Sequence, residues 1–465
     1  MNIEGIFSDE TNEYVSIQSL KNRQNIRIQI RIFKDDKPDI ILVNRQDNSE
    51  VVMSKLRSSE YFDFYYVDLE DREYLKYYFK IIDGERTLFF TRFGVTDYLK
   101  EDALFEYNKS FTLPEWAKGA LMYQIFIDRF NRGDETNDVV DDEYIYIGLP
   151  VKHKENWDEY PSNFDVGYFY GGDLAGVLQK LDYLRDFGVE VMYFNPLFVS
   201  PSNHKYDTQD YDYIDPHIGV IVEDADGVLG EDDTDNKNAT KYVKRVTCKK
   251  NLEASNELFI RLVEEAHKRN IKDIIDGVLN HCGSFNKWMD KEGIYKRAED
   301  KYPIGAYWSK ESEFRPYFNF IGNEYDGWWG HDTLPKLYYE NSKKLIDEVL
   351  GIAKKWVSPP FNVDGWRLDV AADLGYSHEF NHRFWAMFRS AVKSANKNAV
   401  ILAEHYGDPS FWLDGKCWDG VMNYDGFMEP VSWFLTGMEK HSDRAMPEKF
   451  GDGKLFFDTM RYNMV

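Results

Sequence analysis

Three stretches of this 465-residue sequence place ionisable side chains where an apolar run ends. They are residues 276–281, 365–371 and 401–405, and their candidate functional residues are Asp276, Asn280, His281, Arg367, Asp369 and Glu404. Cleavage of a glycosidic bond needs two carboxyl groups, one that attacks or stabilises the sugar carbon and one that protonates the leaving oxygen. Carboxyl groups brought together from neighbouring strand ends could perform that chemistry.

Asp369 is the candidate nucleophile and Glu404 is the candidate acid and base. Arg367 and Asp369 are two residues apart on one predicted strand, so both side chains point to the same side. We expect the Arg367 guanidinium to keep Asp369 ionised, as a nucleophile requires. Apolar, partly closed surroundings raise the pKa of a carboxyl group, which would suit Glu404 as a proton donor. The alternative is that these groups form buried ion pairs with a structural role only.

The sequence after residue 112 alternates apolar strands with amphipathic helices, a pattern typical of βα units around a parallel sheet. We predict strands over residues 120–127, 189–195, 271–279, 363–370, 399–404 and 419–423. Helical stripes of apolar residues begin at Leu174, Leu258, Leu345 and Phe384. Two long connections, 196–250 and 281–340, show little helical period. In a βα barrel such insertions lie at the C-terminal face, where active sites are built.

Residues 1–112 have a different pattern, made of short strands. Residues 27–32 alternate polar and apolar side chains, as a half-buried strand does. Further strands are predicted over 39–43, 61–67, 77–82 and 87–90. Several short strands at regular spacing predict a β-sandwich, and Pro114 marks the boundary. The predicted organisation is therefore an N-terminal β-sandwich over 1–112 and a (β/α)8 TIM barrel over 113–465.

The composition excludes several function classes. A net charge of −24 opposes binding to nucleic acid or to an anionic membrane, because both are negatively charged. Aromatic residues make up 16% of the chain, and aromatic faces suit the apolar face of a sugar ring. The three cysteines form neither a zinc pattern nor a disulfide framework. The polar N-terminus has no apolar signal core and no long apolar run follows, so we expect a cytoplasmic protein.

These stretches resemble conserved regions of the α-amylase family, glycoside hydrolase family 13. Four more motifs point to its neopullulanase, cyclomaltodextrinase and maltogenic amylase branch: YQIFIDRF at 123–130, YGGDL at 170–174, SNHKYDT at 202–208 and LPKL at 334–337. The resemblance covers essentially the whole chain. It implies a retaining hydrolase of α-1,4 and, as an open alternative, α-1,6 glucosidic bonds in maltodextrins, cyclodextrins or pullulan. It implies no organic cofactor, and homodimers are frequent in the branch.

The resemblance also implies roles for individual residues. Asp369 matches the nucleophile, Glu404 the acid and base, and Arg367 the arginine beside the nucleophile. His281 matches the histidine at the sugar before the cleaved bond, and Tyr206 the aromatic that stacks on that sugar. The remaining candidate substrate contacts are Asp276, Asn280 and Tyr406, the last of which stands where many members carry tryptophan.

A calcium site is a further expectation from the resemblance. Its candidate ligands are Asp134, Asn137, Asp138, the Gly171 carbonyl and Asp173, which offer hard oxygen atoms. The branch's motif begins Asn-Gly-Asp, whereas this chain has Arg132 before Gly133 and Asp134. Arginine removes one ligand and adds positive charge, so a solvated acidic loop is the alternative.

The end of the sequence departs from the family pattern. Only six barrel strands are predicted, and no His-Asp pair that would supply the family's third carboxylate follows Glu404. The expectation is therefore a barrel truncated after about six strands, with weak activity in this chain. Two alternatives to hydrolysis stay open, a transglycosylase that uses the same site and a non-catalytic glucan-binding protein. The replacement of a usual Asn-Glu by Ala372 and Asp373 bears on that choice, because it lies on the acceptor side.

Overall fold

The computed structural model describes residues 1–428 except 21–22, 110 and 164, together with 431–432. The described chain forms two compact units. Among the described residues, the first comprises 1–112, 406–415, 423–428 and 431–432, and the second comprises 113–405 and 416–422. Part of the region after Glu404 in which we predict no third carboxylate, residues 433–465, lies outside the described residues.

The first unit is built from antiparallel strands. They are β1 (Val15–Leu20), β2 (Arg23–Phe33), β3 (Asp39–Asn44), β4 (Glu50–Val52), β5 (Ser54–Ser58), β6 (Phe62–Glu70), β7 (Tyr74–Asp83), β8 (Arg86–Thr91), β9 (Gly94–Thr96) and β10 (Phe105–Asn108). One sheet has the order β1-β2-β6-β5, and the other has the order β4-β3-β7-β8-β9 with β10 also paired to β7.

Alternating side chains join these two sheets through one core. Ile26, Ile28, Ile30 and Ile32 on β2 are fully buried, whereas the residues between them are partly exposed. They belong to the same apolar cluster as Phe79 and other residues of the second sheet. Burial of each such side chain contributes about 1.5–3 kcal/mol. The predicted β-sandwich is confirmed, and its five predicted strands correspond to β2, β3, β6, β7 and β8.

The second unit alternates strands and helices. Its strands are β11 (Met122–Ile125), β12 (Ile145–Tyr146), β13 (Leu149–Pro150), β14 (Lys152–His153), β15 (Tyr168–Phe169), β16 (Val191–Phe194), β17 (Phe198–Val199), β18 (Asp210–Ile214), β19 (Lys272–Gly277), β20 (Phe320–Ile321), β21 (Glu324–Tyr325), β22 (Gly365–Leu368), β23 (Val400–Ala403) and β24 (Gly420–Val421). Its α-helices are α1 (Leu174–Phe187), α2 (Thr240–Thr247), α3 (Lys249–Lys268), α4 (Lys343–Trp356) and α5 (His378–Ala395).

Six of these strands form the central sheet in the order β11-β16-β19-β22-β23-β24. All five pairings are parallel, and each neighbour follows in chain order, as in a (β/α) barrel. The six predicted strands correspond one to one with these six, so the predicted fold class is confirmed for the described residues. The register sets Asp276 beside Arg367 and Leu368 beside Ala403. Parallel pairing therefore brings the carboxyl ends of β19, β22 and β23 to one edge.

Four helices match the predicted apolar stripes, and a fifth lies within the predicted loop 196–250. The buried residues of α2 are Tyr242, Val243, Arg245, Val246 and Thr247. A helix of eight residues with three basic side chains gives too little helical period to be recognised in sequence. In the part of the chain that the structure describes, no helix has the length and apolar character needed to cross a membrane.

Candidate active site

One buried guanidinium group joins three carboxylates at the carboxyl ends of β19, β22 and β23. Nη1 of Arg367 donates to Oδ1 and Oδ2 of Asp276 at 3.0 and 2.9 Å and to Oδ1 of Asp369 at 2.8 Å. Nη2 of Arg367 lies 2.9 Å from Oε2 of Glu404. The structure therefore brings together both candidate catalytic carboxyl groups, as the order of the strand ends predicts.

Asp276 is the most buried of the three carboxylates that contact Arg367. Its side chain is 0% exposed, and Oδ2 accepts hydrogen bonds from Tyr193 at 2.6 Å and from Tyr206 at 3.1 Å in addition to Arg367. A carboxylate with these donors and no exposed surface is placed to hold Arg367 and the two tyrosines. Its position does not favour the expected direct contact with a glucan, because the surrounding protein already encloses its oxygen atoms.

The ionisation of Asp369 depends on two opposed effects. Burial raises the pKa of its carboxyl group well above the ordinary range, and the charges of Asp276 and Glu404 act in the same direction. The Arg367 guanidinium acts in the opposite direction. The expectation that Arg367 keeps Asp369 ionised stays a prediction, because burial and the two neighbouring carboxylates oppose the effect of the guanidinium.

The backbone after the candidate nucleophile is strained. Val370 has φ +36° and ψ +46°, a left-handed conformation that β-branched residues rarely adopt. Such a residue costs about 1–3 kcal/mol and persists only where its surroundings enforce it. The Val370 N–H donates to Oε2 of Glu404 at 3.0 Å, the same oxygen that Arg367 contacts. The strain therefore helps to orient Glu404 towards Asp369.

His281 lies at the end of a chain of polar contacts. Lys336 Nζ donates to Oδ1 of Asn280 at 2.5 Å, and Nδ2 of Asn280 lies 3.0 Å from Nδ1 of His281. An ammonium group can only donate, so the Asn280 amide oxygen must face Lys336 and its NH2 group must face His281. Nδ1 of His281 is therefore an acceptor, and the proton of the neutral ring is on Nε2.

Burial keeps the His281 ring neutral. Desolvation, assisted by the charge of Lys336, lowers the pKa of His281 to about 3. The ring is 1% exposed and stacks on Trp328 with a centroid distance of 4.8 Å. Burial also lowers the pKa of Lys336 to about 8. A contact between His281 and a sugar stays a prediction, and in this structure the indole of Trp328 covers the imidazole.

The two candidate stacking residues lie in different units. Tyr206 belongs to the second unit, where its hydroxyl donates to Asp276 and accepts from Asn195 at 3.0 Å. Tyr406 belongs to the first unit, where its ring stacks on Tyr424 with a centroid distance of 4.6 Å. The structure thus joins Tyr206 to the carboxylate group, and the role of Tyr406 stays a prediction.

The five candidate calcium ligands do not assemble one ion site. Asp173 caps α1 through the Gly176 N–H at 2.5 Å and also accepts from the Gly133 and Asp134 N–H groups. Asp134 accepts from the N–H and hydroxyl of Thr136.

Arg132 takes the cation's place beside Asp138. Its guanidinium pairs with Oδ2 of Asp138, and a Cβ added to Gly171 would meet Oδ1 of the same carboxylate at 2.3 Å. Among the side chains of the five candidate ligands, all of them described residues, only Oδ1 of Asp138 and Oδ1 of Asn137 are buried without a partner, whereas Ca²⁺ takes 6–8 oxygen ligands. The residues as arranged do not fit a calcium ion.

Sequence reasoning missed four residues of this region: Tyr193, Trp328, Lys336 and the strained Val370. Tyr193 resembles any buried strand residue, and backbone strain leaves no signal in a single sequence. Lys336 lies within the LPKL motif, which is one of the motifs shared with the family. The motif therefore marked Lys336 as a residue of interest, but the sequence did not indicate which residue it contacts. The structure shows that partner to be Asn280, 56 residues earlier in the chain.

Comparison with known families agrees with this arrangement. The family model described as "Alpha amylase, catalytic domain" matches residues 124–229 and 254–460. The one described as "Alpha amylase, N-terminal ig-like domain" matches residues 1–115. Together they include both units and all three strand ends that carry the carboxylates.

Individual relatives agree as well. An amylopullulanase from Thermoanaerobacter thermohydrosulfuricus is 34% identical over 390 residues, which are 75% of this chain and 23% of that protein. Neopullulanase 2 from Thermoactinomyces vulgaris is 32% identical over 461 residues, 96% of this chain and 67% of that protein. The solved structure of a cyclomaltodextrinase has a TM-score of 0.55 at 26% identity and covers 98% of this chain and 69% of its own. The chain belongs to the α-amylase family, in the branch that includes neopullulanases, cyclomaltodextrinases and maltogenic amylases.

Proposed function

We propose that this chain carries the site of a retaining α-glucan hydrolase that acts on maltodextrins, cyclodextrins or pullulan. The observation that carries the proposal is the contact of one Arg367 guanidinium with both Asp369 and Glu404. α-1,4 bonds are the proposed main target and α-1,6 bonds a second one. An uncharged glucan also suits a chain with a net charge of −24, which repels anionic ligands.

The retaining mechanism is the proposed one, and it uses the shorter of the two carboxyl separations found in glycosidases. It is compatible with the contact of both carboxyl groups with one guanidinium, Asp369 on Nη1 and Glu404 on Nη2. Retaining enzymes hold the carboxyl groups about 5–5.5 Å apart, too close for a water molecule to attack directly.

The proposed reaction has two steps. Asp369 attacks the anomeric carbon while Glu404 gives its proton to the leaving glycosidic oxygen. Glu404 then takes a proton from water, and that water displaces Asp369 from the sugar, so the starting configuration returns. Asp276 and Tyr193 act as positioning residues that hold Arg367. The roles of His281, Asn280, Tyr206 and Tyr406 in sugar binding, a homodimer and a cytoplasmic location stay predictions.

Calcium is not part of the proposed mechanism. Because Arg132 pairs with Asp138, we expect 5 mM CaCl2, added to the metal-free protein, to move the thermal unfolding midpoint by less than about 1 °C. Differential scanning calorimetry of the chelated protein measures this. The Arg132→Asn variant is the matched comparison, since it removes the cation and returns an oxygen ligand. A rise of several degrees with calcium in the unchanged chain would contradict the expectation.

The direct test of the proposed function is the release of reducing sugar from maltotriose, β-cyclodextrin and pullulan. We expect this chain to release sugar from at least one of them, and the Glu404→Gln variant to lose at least about 100-fold in rate, because a general acid contributes roughly 10²–10⁴-fold. The anomer of the first product, measured by NMR, should be α.

Other outcomes separate the alternatives. If maltotriose is converted mainly to longer oligosaccharides, the site acts as a transglycosylase. If the unchanged chain binds β-cyclodextrin in calorimetry yet releases no sugar, the chain is a glucan-binding protein and the proposed hydrolysis is wrong. A β-anomer as first product would overturn the retaining mechanism while it leaves hydrolysis intact.

A further inference from the structure

A second group of ionisable side chains lies at the opposite ends of the central strands. Asp273 is the second residue of β19, and Asp364 directly precedes β22. His267 is in the last turn of α3. The nearest ligand atoms of these three residues lie within 4.8 Å of one another. The group therefore lies at the N-terminal ends of the strands, away from the carboxylates that contact Arg367.

Asp273 is the unexplained member of this group. Its side chain is 0% exposed, and neither Oδ1 nor Oδ2 has a hydrogen-bond partner. A buried carboxyl group without hydrogen-bond donors is costly. A ligand bound by its oxygen atoms would explain why Asp273 stands in the buried strand β19.

His267 and Asp364 lie next to the Asp273 carboxyl group. Nε2 of His267 lies 2.6 Å from Oδ2 of Asp364 and 3.8 Å from Oδ2 of Asp273. Lys272 Nζ binds the other oxygen of Asp364, Oδ1, at 2.9 Å and so holds this carboxylate in place. His267 is partly exposed, with 31% of its side chain accessible, which gives an ion a route from solvent.

We propose that His267, Asp273 and Asp364 form a binding site for a divalent transition metal ion such as Zn²⁺. One imidazole nitrogen with two carboxylate oxygens is a ligand set that suits Zn²⁺ and its first-row neighbours, whereas Mg²⁺ and Ca²⁺ prefer oxygen alone. Zinc ligands stand about 2.0–2.2 Å from the ion, so His267 and Asp364 would separate slightly to admit it. Water would complete the coordination on the open side of His267.

The charges favour this assignment over an empty acidic group. Asp273 and Asp364 together carry two negative charges when both are ionised, and a divalent ion neutralises them. Lys272 Nζ contacts Oδ1 of Asp364, whereas His267 contacts Oδ2 of the same carboxylate. Residues at the N-terminal face of a βα barrel contribute to stability and not to catalysis. The proposed ion would therefore be a structural metal that links α3, β19 and the residue that precedes β22.

Metal titration of the full chain tests the proposal without any need for activity. After treatment with EDTA and its removal, we expect Zn²⁺ to bind with one site per chain in calorimetry and to raise the thermal midpoint by at least about 2 °C at saturation. Mg²⁺ at the same concentration should have no such effect. The Asp273→Asn variant should fold, because it removes a buried unpaired charge, and should lose the Zn²⁺ response.

Two further variants make the result specific. His267→Gln removes the nitrogen ligand at a partly exposed position and should weaken Zn²⁺ binding at least about 10-fold. Asp186→Asn alters an exposed carboxylate on α1 and should keep the full response. The proposal is overturned if the unchanged chain shows no Zn²⁺ response, or if Asp273→Asn responds to the same extent. Glucan hydrolysis is measured in a separate assay, so failure of the metal-site proposal can be distinguished from failure of the proposed function.

Discussion

Replacement of Asp369 by asparagine should reduce glucan hydrolysis by at least about 10⁴-fold relative to the unchanged chain. The side chain keeps its size and can still contact Arg367, but it no longer attacks the sugar carbon, and loss of a nucleophile removes most of the catalytic rate. Initial rates of reducing-sugar release from maltotriose measure the change. Because Asp369 carries a raised pKa from burial, the variant should fold as well as the unchanged chain.

A matched control keeps this result specific to the site. Asp347→Asn alters an exposed carboxylate on α4 that pairs with Lys343, and we expect its rate to equal that of the unchanged chain. Affinity for β-cyclodextrin, measured by calorimetry, should be similar in all three proteins. Retention of more than a tenth of the activity by Asp369→Asn would show that another group is the nucleophile.

Replacement of Arg367 by methionine should have the largest effect on stability. The guanidinium is the shared partner of Asp276, Asp369 and Glu404, and its removal leaves buried carboxylates without their cation. Loss of one partner from a buried ion pair costs about 3–5 kcal/mol. We expect that decrease in the free energy of unfolding in urea titration, together with loss of hydrolysis.

The effect of this substitution should depend on pH with a defined sign. Arg367 lowers the pKa values of Asp276 and Asp369, so without this cation the folded-state pKa values of both carboxyl groups rise further above their unfolded values. The destabilisation is therefore smallest below the unfolded value of about 4 and grows as the pH rises above it. Arg185→Met, at an exposed pair on α1, should change stability by less than about 0.5 kcal/mol at every pH. A deficit independent of pH would show that lost packing, and not charge, is the cause.

The strands, the longer helices and the positions of the candidate catalytic carboxyl groups were predictable because their signals are local. Apolar runs that end in Asp369 and Glu404 mark strand ends, and parallel pairing in chain order brings those ends together. The sandwich was predictable for the same reason, since β2 alternates buried isoleucines with polar residues. The α2 helix was not, because its apolar face consists of only Tyr242, Val243 and Val246 and extends over little more than one turn.

The partners of charged residues were harder to predict because they depend on residues far apart in the chain. Asp276 binds Tyr193 and Tyr206 across 83 and 70 residues, and no spacing rule relates them. The ionisation of Asp369 likewise depends on the other carboxylates that contact Arg367. The spacing of two positions between Arg367 and Asp369 does not reveal them. The Arg132 substitution was visible in the sequence, whereas its pairing with Asp138 required the structure.

The sharing of Arg367 among three carboxylates also bears on how the site discriminates between ligands. With all three ionised, the group would carry an excess of two negative charges. A neutral glucan leaves that excess unchanged, whereas a sugar ring that bears positive charge offsets it. A cationic sugar analogue should therefore bind more tightly than a neutral analogue of the same shape, for as long as the analogue keeps its charge.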